Sequence, residues 1–334
     1  MTKVLIFGGN SFVGREVVVK LLDLGHKVIT FNRTGPRDNF SHENLNTVRG
    51  DILNPDDLRK LENLEFDVIV DNVSVNEKMI ENIISALRHR VNLKYVFTSS
   101  SAIYHLVRDL KENDFTESDV DVFTKYEKNP MFQDREWDYI QGKADCERAL
   151  IESDFQYKLI VRPNVIVGKN DPLKRTNYFF ERVFDSKGVL LPDVGENTYH
   201  LVYASNLVNF YMDLILNYIK TSELVVNYSQ DEVLTNKKFI SYLDDNFKKK
   251  TEIYKINKEL FIERGIALPP FGKWGKYELD LTLLKTIEDK SRIIPVSQWM
   301  KDLTEEFLLK KEPSYAKQFR SLESDIISKE LRAE

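Results

Sequence analysis

A tyrosine and a lysine stand four residues apart in Tyr139-Ile140-Gln141-Gly142-Lys143, a segment that the sequence predicts to be helical. Side chains at i and i+4 of a helix are neighbours on one face. A phenol is a weak acid at neutral pH, but an adjacent ammonium stabilises the phenolate and so makes proton transfer easier. The spacing therefore predicts that Tyr139 is a general acid/base and that Lys143 stabilises its charged form. A chance surface contact is the alternative.

A run of hydroxyl side chains offers a second chemical group. Thr98-Ser99-Ser100-Ser101 comes directly after an apolar segment over 94–97 that is typical of a buried strand. A serine hydroxyl at the end of such a strand can hold a substrate oxygen while negative charge develops on it. Together, the phenol, the ammonium and the serines predict chemistry at a hydroxyl or carbonyl carbon.

The N-terminal segment supplies an element that could hold a cofactor. Val4-Leu5-Ile6-Phe7 predicts a buried parallel strand, and Gly8-Gly9 allows a sharp turn with close approach of a ligand. Apolar residues then recur at helical spacing until Gly25, a typical residue after a helix end. The free N–H groups at the start of that helix would face a pyrophosphate. The pattern favours a dinucleotide site over an ordinary strand–turn–helix.

The glycine pattern departs from the usual G-x-G-x-x-G, because it places Gly8, Ser11 and Gly14 at three-residue intervals. The Ser11 hydroxyl is expected to cap the helix, and its Cβ to limit how closely a phosphate approaches. The next strand ends in Asn32-Arg33 and lacks the acidic residue that would bind the ribose 2′-hydroxyl of NAD. Arginine pairs well with a 2′-phosphate, so NADP is slightly favoured over NAD; a solvated arginine is the alternative.

Composition limits the class of protein. The 334 residues, 42% of them hydrophobic, suffice for a nucleotide-binding unit and a modest second lobe, and the net charge of −5 argues against nucleic acid as a partner. The single cysteine, Cys146, excludes an internal disulfide, and the five histidines lack metal-ligand spacing, so no metal is expected. No apolar stretch resembles a membrane span or a signal peptide, so a cytoplasmic protein without membrane contact is expected.

The first half of the chain alternates predicted strands and helices. The further elements are strands over 46–49, 66–71, 94–98 and 158–162 and helices over 55–62 and 76–88. This alternation predicts an α/β fold with a doubly wound parallel sheet of the Rossmann type, in which ligands lie beyond the carboxyl ends of the strands. Asp51, Asp71–Ser74 and Ser99–Ser101 fall at such ends. The long polar connection over 105–136 is typical of a lid over a site.

These motifs resemble those of the extended short-chain dehydrogenase/reductase superfamily, and within it the NAD-dependent epimerase/dehydratase family. The family carries S-S-x-x-V-Y after its fifth strand, with the catalytic serine or threonine four residues before that tyrosine; here Tyr104 points back to Ser100. The family's Y-x-x-x-K matches Tyr139 and Lys143, and its arginine-proline pair matches Arg162-Pro163. The resemblance covers residues 1 to about 230.

The resemblance implies an NAD(P)-dependent oxidoreductase or epimerase acting on a small molecule, with sugars and nucleotide-sugars among the candidates. Ser100 would hold the reacting oxygen, Tyr139 would transfer the proton, and Lys143 would also bind the nicotinamide ribose. Net reduction and epimerisation both stay open, whereas dehydration ranks last because Ser101-Ala102 supplies no extra acid–base pair. The cofactor-binding residues would be Gly8, Gly9, Asn10, Ser11, Phe12, Val13, Gly14, Asn32, Arg33, Asp51, Ile52, Asn72, Val73, Ser74, Tyr139, Lys143, Arg162 and Pro163.

Several positions depart from the family pattern. Asp71-Asn72-Val73-Ser74 replaces H-x-A-A, Ser205-Asn206 replaces an acidic pair, and the 39 residues from Ser100 to Tyr139 (139 − 100) exceed the typical gap. The glycine turn is similar to that of an atypical branch containing relatives of the chloroplast stem-loop RNA-binding proteins. A non-catalytic nucleotide- or RNA-binding protein on the same fold is therefore the alternative, which the intact Ser100, Tyr139 and Lys143 oppose.

The remaining chain is predicted to form a second lobe. Residues 1–168 and about 199–228 would form the NAD(P)-binding domain, about 169–198 and 229–310 a smaller α/β substrate lobe, and 311–334 a helical extension. Arg175 and Arg182 could bind a phosphate or carboxylate, but their spacing favours a solvated helix face. The loop over 269–275 is expected to pack rather than bind a ligand. The extension could pack on the body or on a partner subunit in a homodimer.

Overall fold

The computed structural model of the protein describes residues 1–35, 40–108, 110, 113–195, 197–216, 221–273 and 275–331. Its strands are β1 (Lys3–Phe7), β2 (Lys27–Asn32), β3 (Leu45–Arg49), β4 (Val68–Asp71), β5 (Lys94–Thr98), β6 (Tyr157–Pro163), β7 (Val165–Val167), β8 (Val189–Asp193), β9 (Leu201–Tyr203), β10 (Glu223–Tyr228) and β11 (Ile253–Asn257).

The helices alternate with these strands in the first half and dominate the second half. They are α1 (Phe12–Asp23), α2 (Pro55–Leu58), α3 (Glu77–Leu87), α4 (Asp134–Glu152), α5 (Asn177–Phe184), α6 (Ala204–Ile215), α7 (Asn236–Phe247), α8 (Lys258–Glu263), α9 (Thr282–Ile287), α10 (Val296–Lys310) and α11 (Arg320–Ile326). Short 3-10 turns lie at Arg59–Leu61, Ser101–Leu106, Glu117–Asp119, Lys290–Arg292 and Lys317–Phe319, and a π-helical turn covers Ile327–Leu331. Among the described residues, no helix has both the length and the apolar character needed to cross a membrane.

Seven strands form one parallel sheet in the order β10-β6-β5-β4-β1-β2-β3. The chain runs outward from β1 to β3 and then returns to the other side of β1 as β4, which creates a switch point between β1 and β4. Phe7 lies in register with Phe31 of β2 and with Asp71 of β4. The loops that follow β1, β2 and β4 therefore meet at one edge of the sheet, and the predicted doubly wound Rossmann-type fold is confirmed.

The central strands are apolar throughout because both faces of the sheet are covered. Val4 and Ile6 belong to the apolar cluster that includes α1, whereas Leu5 and Phe7 belong to the cluster that includes α3, and all four are fully buried. Burying each such side chain contributes about 1.5–3 kcal/mol. The sheet is therefore a rigid base for the loops at its carboxyl edge.

A second core lies in the C-terminal half. The rings of Phe179, Phe239 and Phe271 lie 5.1–5.2 Å apart, which gives the loop after Pro270 the packing role predicted for it. Residues 277–284 depart from the predicted division, because Tyr277, Leu279, Leu281 and Leu284 pack in the same cluster as the sheet. The two-domain boundaries stay a prediction.

Several apolar side chains of the long connection between Ser100 and Tyr139 are buried. Phe115, Val120, Val122 and Phe132 are buried in the main core, and Phe115 forms a β-bridge with Leu279. These apolar residues lack a periodic spacing, so the sequence did not indicate that they are buried. Most of the described residues between them are exposed, and a lid over the site stays a prediction.

The interpretation of Arg182 as a solvated residue is wrong. Arg182 is fully buried, and its Nε donates to Oε2 of Glu323 at 2.9 Å. Arg320 contacts the same oxygen at 3.2 Å and also pairs with Asp185. The partner comes from α11, far along the chain, which a local helix pattern cannot reveal. Arg175 is half-buried and pairs with Asp171.

The C-terminal extension packs on the protein body. Ile326 and Ile327 are buried against Leu190, Phe261 and Ile266. This contact and the buried Arg182–Glu323 pair show that the extension packs on the protein body, one of the two alternatives that the sequence left open. A homodimer stays a prediction.

Replacing Glu323 with alanine should destabilise the protein strongly. The change leaves the fully buried Arg182 without its carboxylate, and removing one partner of a buried ion pair costs about 3–5 kcal/mol. Urea unfolding measures the loss, with L322A as the control because Leu322 is exposed on the same helix. An equal effect of both changes would show that the buried pair contributes nothing.

Candidate active site

The loops at the carboxyl edge of the sheet enclose a cleft of about 780 Å³. Most of the predicted cofactor-binding residues line it, although they come from four separate loops. These are Gly8, Asn10, Ser11, Phe12, Val13, Gly14, Asn32, Arg33, Asp51, Ile52, Asn72 and Val73. The parallel register explains this convergence, since it aligns the ends of β1, β2, β3 and β4.

The turn between β1 and α1 requires glycine at two places. Gly8 has φ +90°, a left-handed conformation that glycine adopts without strain. A Cβ at Gly14 would lie 2.0 Å from the carbonyl oxygen of Gly8, so the helix approaches the turn as closely as the backbone allows. Phe12 also lies in the left-handed region at φ +47°, and such strained residues cluster at functional sites.

Ser11 stands at the N-cap of α1, but its side chain makes no capping hydrogen bond. The expectation that its hydroxyl caps the helix is therefore wrong. The side chain is exposed and lines the cleft. Its hydroxyl can thus donate to an anion at the helix N-terminus, together with the free backbone N–H groups there.

Two carboxamide groups at the cleft leave donors unused. Asn32 Nδ2 and Asn72 Nδ2 are buried without a hydrogen-bond partner in the described part of the chain. Asn72 is fixed by Thr98, whose hydroxyl donates to Asn72 Oδ1 at 2.5 Å. A buried unpaired donor is costly, so both groups suit a ligand that brings acceptor oxygens. The close glycine turn and these donors fit the pyrophosphate and ribose hydroxyls of NAD(P).

Arg33 lies at the end of β2 that would face an adenosine ribose. Its side chain is exposed and lines the cleft, and its carbonyl oxygen accepts a hydrogen bond from Nε of Arg49 at 3.2 Å. The acid expected of an NAD site is replaced by Asn32, which is neutral. The end of β2 therefore presents an arginine and no carboxylate to the cleft.

Lys143 joins the predicted catalytic helix to the sheet. The side chain is 3% exposed, and Nζ donates to the carbonyl oxygens of Ser74 at 2.8 Å and Thr98 at 2.7 Å. Thr98 itself lines the cleft. The ammonium is therefore held at the ends of β4 and β5, beside the cleft, with an N–H bond left for a ligand.

Tyr139 and Ser100, the other two predicted catalytic residues, both precede Lys143 in the chain. Tyr139 is one turn before Lys143 on α4 and is 40% exposed, with its ring centroid 6.0 Å from Lys143 Nζ. Ser100 Oγ accepts from the N–H of Ala102 at 3.1 Å, which leaves the hydroxyl proton for donation. Helix α4 packs against the 3-10 turn that begins after Ser100.

Six predicted cofactor-binding residues lie outside the cleft lining: Tyr139 and Lys143, described above, and Gly9, Ser74, Arg162 and Pro163. Gly9 lies against Thr30 and Val18, and Ser74 is fully buried with its carbonyl on Lys143. Arg162 is 2% exposed and is engaged by Glu147, and the adjoining Pro163 is in register with Tyr228 in the sheet. Strand β6 thus places Arg162 and Pro163 in the core, and their contact with a cofactor stays a prediction.

The lining also contains residues that the sequence did not indicate. They are Phe31, Thr34, Gly50, Leu53, Val75, Met79, Thr98, Ile166 and Pro172. Thr98 is the last residue of β5 and Gly50 follows β3, and these positions at strand ends were a usable signal. Ile166 and Pro172 come from the region after β6, and nothing in their local sequence indicates that they reach the cleft.

Comparison with known proteins identifies the family. The family model for the NAD dependent epimerase/dehydratase family matches residues 4–227. The chain belongs to this family. The match covers the whole cleft, and the enzyme class predicted from the sequence is confirmed at the level of the family. The likeness to the stem-loop-binding branch stays a prediction.

Relatives of this family member differ in what their names say they act on. A 3-beta-hydroxysteroid dehydrogenase of Mycolicibacterium neoaurum is 26% identical over 206 residues, which are 55% of this chain and 51% of that protein. The chain thus spans about half the length of the curated relative it matches.

Solved structures share the fold over almost the whole chain. The Bordetella bronchiseptica enzyme WbmH, in complex with NAD⁺, has a TM-score of 0.68 at 16% identity, covering 93% of this chain and 100% of that one. The dTDP-glucose 4,6-dehydratase of Bacillus anthracis, in complex with NAD, has a TM-score of 0.69 at 16% identity, covering 93% and 98%. At this identity the likeness establishes the fold.

Proposed function

We propose that this family member binds NAD(P) in the cleft and interconverts a hydroxyl and a carbonyl group on a small molecule, as an oxidoreductase or epimerase. The observation that carries the proposal is the buried ammonium of Lys143, held by Ser74 O and by Thr98 O, since Thr98 itself lines the cleft. Bound NAD(P) would accept or donate the hydride. The family assignment and the folds of NAD-containing neighbours support this function.

The chain's own residues would handle the proton and the oxygen. Tyr139 is exposed enough to reach a substrate, and its hydroxyl would take the proton from the alcohol or return it to the carbonyl. Lys143 would stabilise the phenolate by its charge and donate its remaining N–H to the nicotinamide ribose. Ser100 would donate its hydroxyl proton to the substrate oxygen, where charge develops.

The residues that would hold the cofactor divide along the cleft. Gly8, Ser11 and Gly14 would approach the pyrophosphate, and Asn72 would donate Nδ2 to a ligand oxygen. Asp51 and Ile52 would lie at the adenine end, after β3. We further propose that NADP is preferred, since Asn32 replaces the acid and Arg33 lines the same end.

The proposed cofactor preference predicts a selective effect of R33A. Affinity for NADPH should fall by about tenfold or more, because charge-assisted hydrogen bonds contribute about 1.5–3 kcal/mol, while affinity for NADH should stay unchanged. Fluorescence titration measures the dissociation constants for NADPH and NADH. R59A is the control variant, because Arg59 is an exposed arginine. Equal NADPH affinity in wild type and R33A would place Arg33 outside the cofactor site.

Turnover assays test the reaction itself. Purified protein is incubated with NADP⁺ or NAD⁺ and either a 3β-hydroxysteroid or dTDP-glucose, the compounds named by its relatives. Formation of reduced nicotinamide supports net oxidation, and a changed sugar detected by NMR without net cofactor consumption supports an epimerase-type cycle. Cofactor binding without conversion of a broader alcohol and ketone panel would oppose catalysis and favour a binding protein.

A further inference from the structure

Helix α4 carries a third ionisable residue on the same face as the two proposed catalytic ones. Tyr139, Lys143 and Glu147 follow one another at intervals of four residues, so they share one face of the helix. Glu147 is fully buried and lies one turn below Lys143. The proposed reaction does not use its carboxylate. A buried carboxylate next to a reaction centre therefore requires an explanation.

The Glu147 carboxylate ties three elements together. Arg162 of β6 binds it through Nε, 3.0 Å from Oε1, and through Nη2, 2.6 Å from Oε2. The hydroxyl of Ser99, directly after β5, donates to Oε1. The same carboxylate thus fixes α4 to β6 and to the residue that precedes Ser100.

Ser100 is held on both sides by such contacts. On one side, the Ser99 hydroxyl binds Glu147, and the Ser99 N–H donates to Val161 O at 2.8 Å. On the other side, the hydroxyl of Tyr277 donates to Ser101 O at 2.5 Å. The backbone around the Ser100 hydroxyl is therefore fixed by buried side chains.

The network continues from Arg162 toward the C-terminal half. Arg162 Nη1 donates to Tyr104 Oη at 3.1 Å and to Glu117 O at 2.7 Å, and the Tyr104 hydroxyl donates to Asn227 Oδ1 at 2.5 Å. Burial alone would lower the pKa of Arg162, but Glu147 and Tyr104 outweigh this effect and raise it. Burial, only partly offset by Arg162, raises the pKa of Tyr104 to about 12, so the phenol keeps its proton.

We propose that Glu147, through Arg162 and Ser99, is a positioning residue that holds Ser100 at a fixed place relative to Tyr139 and Lys143. The inference rests on the proposed function and adds a role for a residue that touches neither substrate nor cofactor. A well-packed apolar group can often replace a buried ion pair without loss of stability, so stability alone does not explain this pair. Catalytic groups, in contrast, lose rate when displaced by a fraction of an ångström.

The chain offers a matched control in the Glu323–Arg182 pair. Glu323 is also fully buried, also binds an arginine through two nitrogens and also lies on a helix, but it belongs to the C-terminal extension. E147Q and E323Q therefore make the same chemical change at equal burial. S99A is a milder companion to E147Q, since it removes a single hydrogen bond and leaves the ion pair intact.

The experiment compares wild type, E147Q, S99A and E323Q by three measurements on the full chain. Amide hydrogen exchange follows residues 99–103 and 139–143, NADH titration gives cofactor affinity, and steady-state kinetics with a converted probe separate kcat from KM. We expect E147Q, and to a smaller degree S99A, to accelerate exchange in these segments and to lower kcat, for E147Q by about tenfold or more. In E147Q and S99A, NADH affinity and KM should stay unchanged. E323Q should lower the melting temperature without accelerating exchange in these segments and without lowering kcat.

The outcomes separate this inference from the proposed function. If E147Q and E323Q lower kcat in proportion to their loss of stability, or if E147Q leaves exchange at 99–103 unchanged, Glu147 is merely structural and the inference is overturned. Should wild type convert no probe, the proposed function fails, while the exchange comparison still decides whether Glu147 positions these segments. If E147Q does not fold, exchange and kcat of S99A decide in the same way.

Discussion

Replacing Tyr139 with phenylalanine should lower turnover by about 10²–10⁴-fold, the usual contribution of a positioned general acid/base. Only the hydroxyl is removed, and Tyr139 makes its closest described charged contact with Lys143 through the ring, so α4 should keep its place. NADPH and NADH affinity should therefore stay unchanged. Steady-state kinetics and fluorescence titration of the same preparation measure the two effects together.

Tyr315 provides the control for this substitution. It is also partly exposed, and its hydroxyl donates to Leu268 O in the C-terminal half. Y315F removes the same atom and should leave turnover unchanged. Retained turnover in Y139F would show that another group transfers the proton, and that α4 does not carry the general acid/base.

The second large effect is expected from G14A, which should abolish measurable cofactor binding. The added Cβ would lie 2.0 Å from Gly8 O and 3.4 Å from Asn72 Nδ2. Because the first of these atoms is backbone, the turn that lines the cleft must move to admit the methyl group. Such overpacking also costs about 1–3 kcal/mol of stability, which urea unfolding would reveal.

Gly35 is a suitable control for that change. Among the described residues, no atom lies within 4 Å of a Cβ placed at Gly35, and the φ of Gly35 lies outside the left-handed region. G35A should therefore bind NADPH as wild type does. Wild-type NADPH affinity in G14A would mean that the cofactor does not approach this turn.

The cleft could be predicted largely from sequence because its residues follow strands. In a parallel sheet the residue after each strand reaches the same edge, so finding β1, β2, β3 and β4 placed Gly8, Asn32, Asp51 and Asn72 together. The spacing of Tyr139 and Lys143 was equally local. It needed only a helix, which α4 provides.

The errors arose where a partner is distant in sequence. Arg182 looked solvated because its carboxylate, Glu323, is 141 residues away. Likewise, the buried pairing of Arg162 with Glu147 could not be read from the family resemblance, because β6 and α4 meet only in the folded protein. Ser11 has the residue type of a helix cap, yet its side chain makes no such bond. No local pattern encodes the partners of Arg182 and Arg162, since both depend on tertiary contacts.

The most direct test of the proposal that the cleft binds NAD(P) is a fluorescence titration of the wild-type protein with NADPH and with NADH. G14A serves as the non-binding reference. We predict that both nucleotides bind the wild-type protein saturably, that NADPH binds more tightly than NADH, and that binding to G14A does not saturate. Tighter binding of NADH would show that Arg33 does not select NADP, although the cleft would still be the cofactor site. Failure of both nucleotides to bind wild type would contradict the assignment of the cleft, and would leave a family member that keeps the fold without its cofactor.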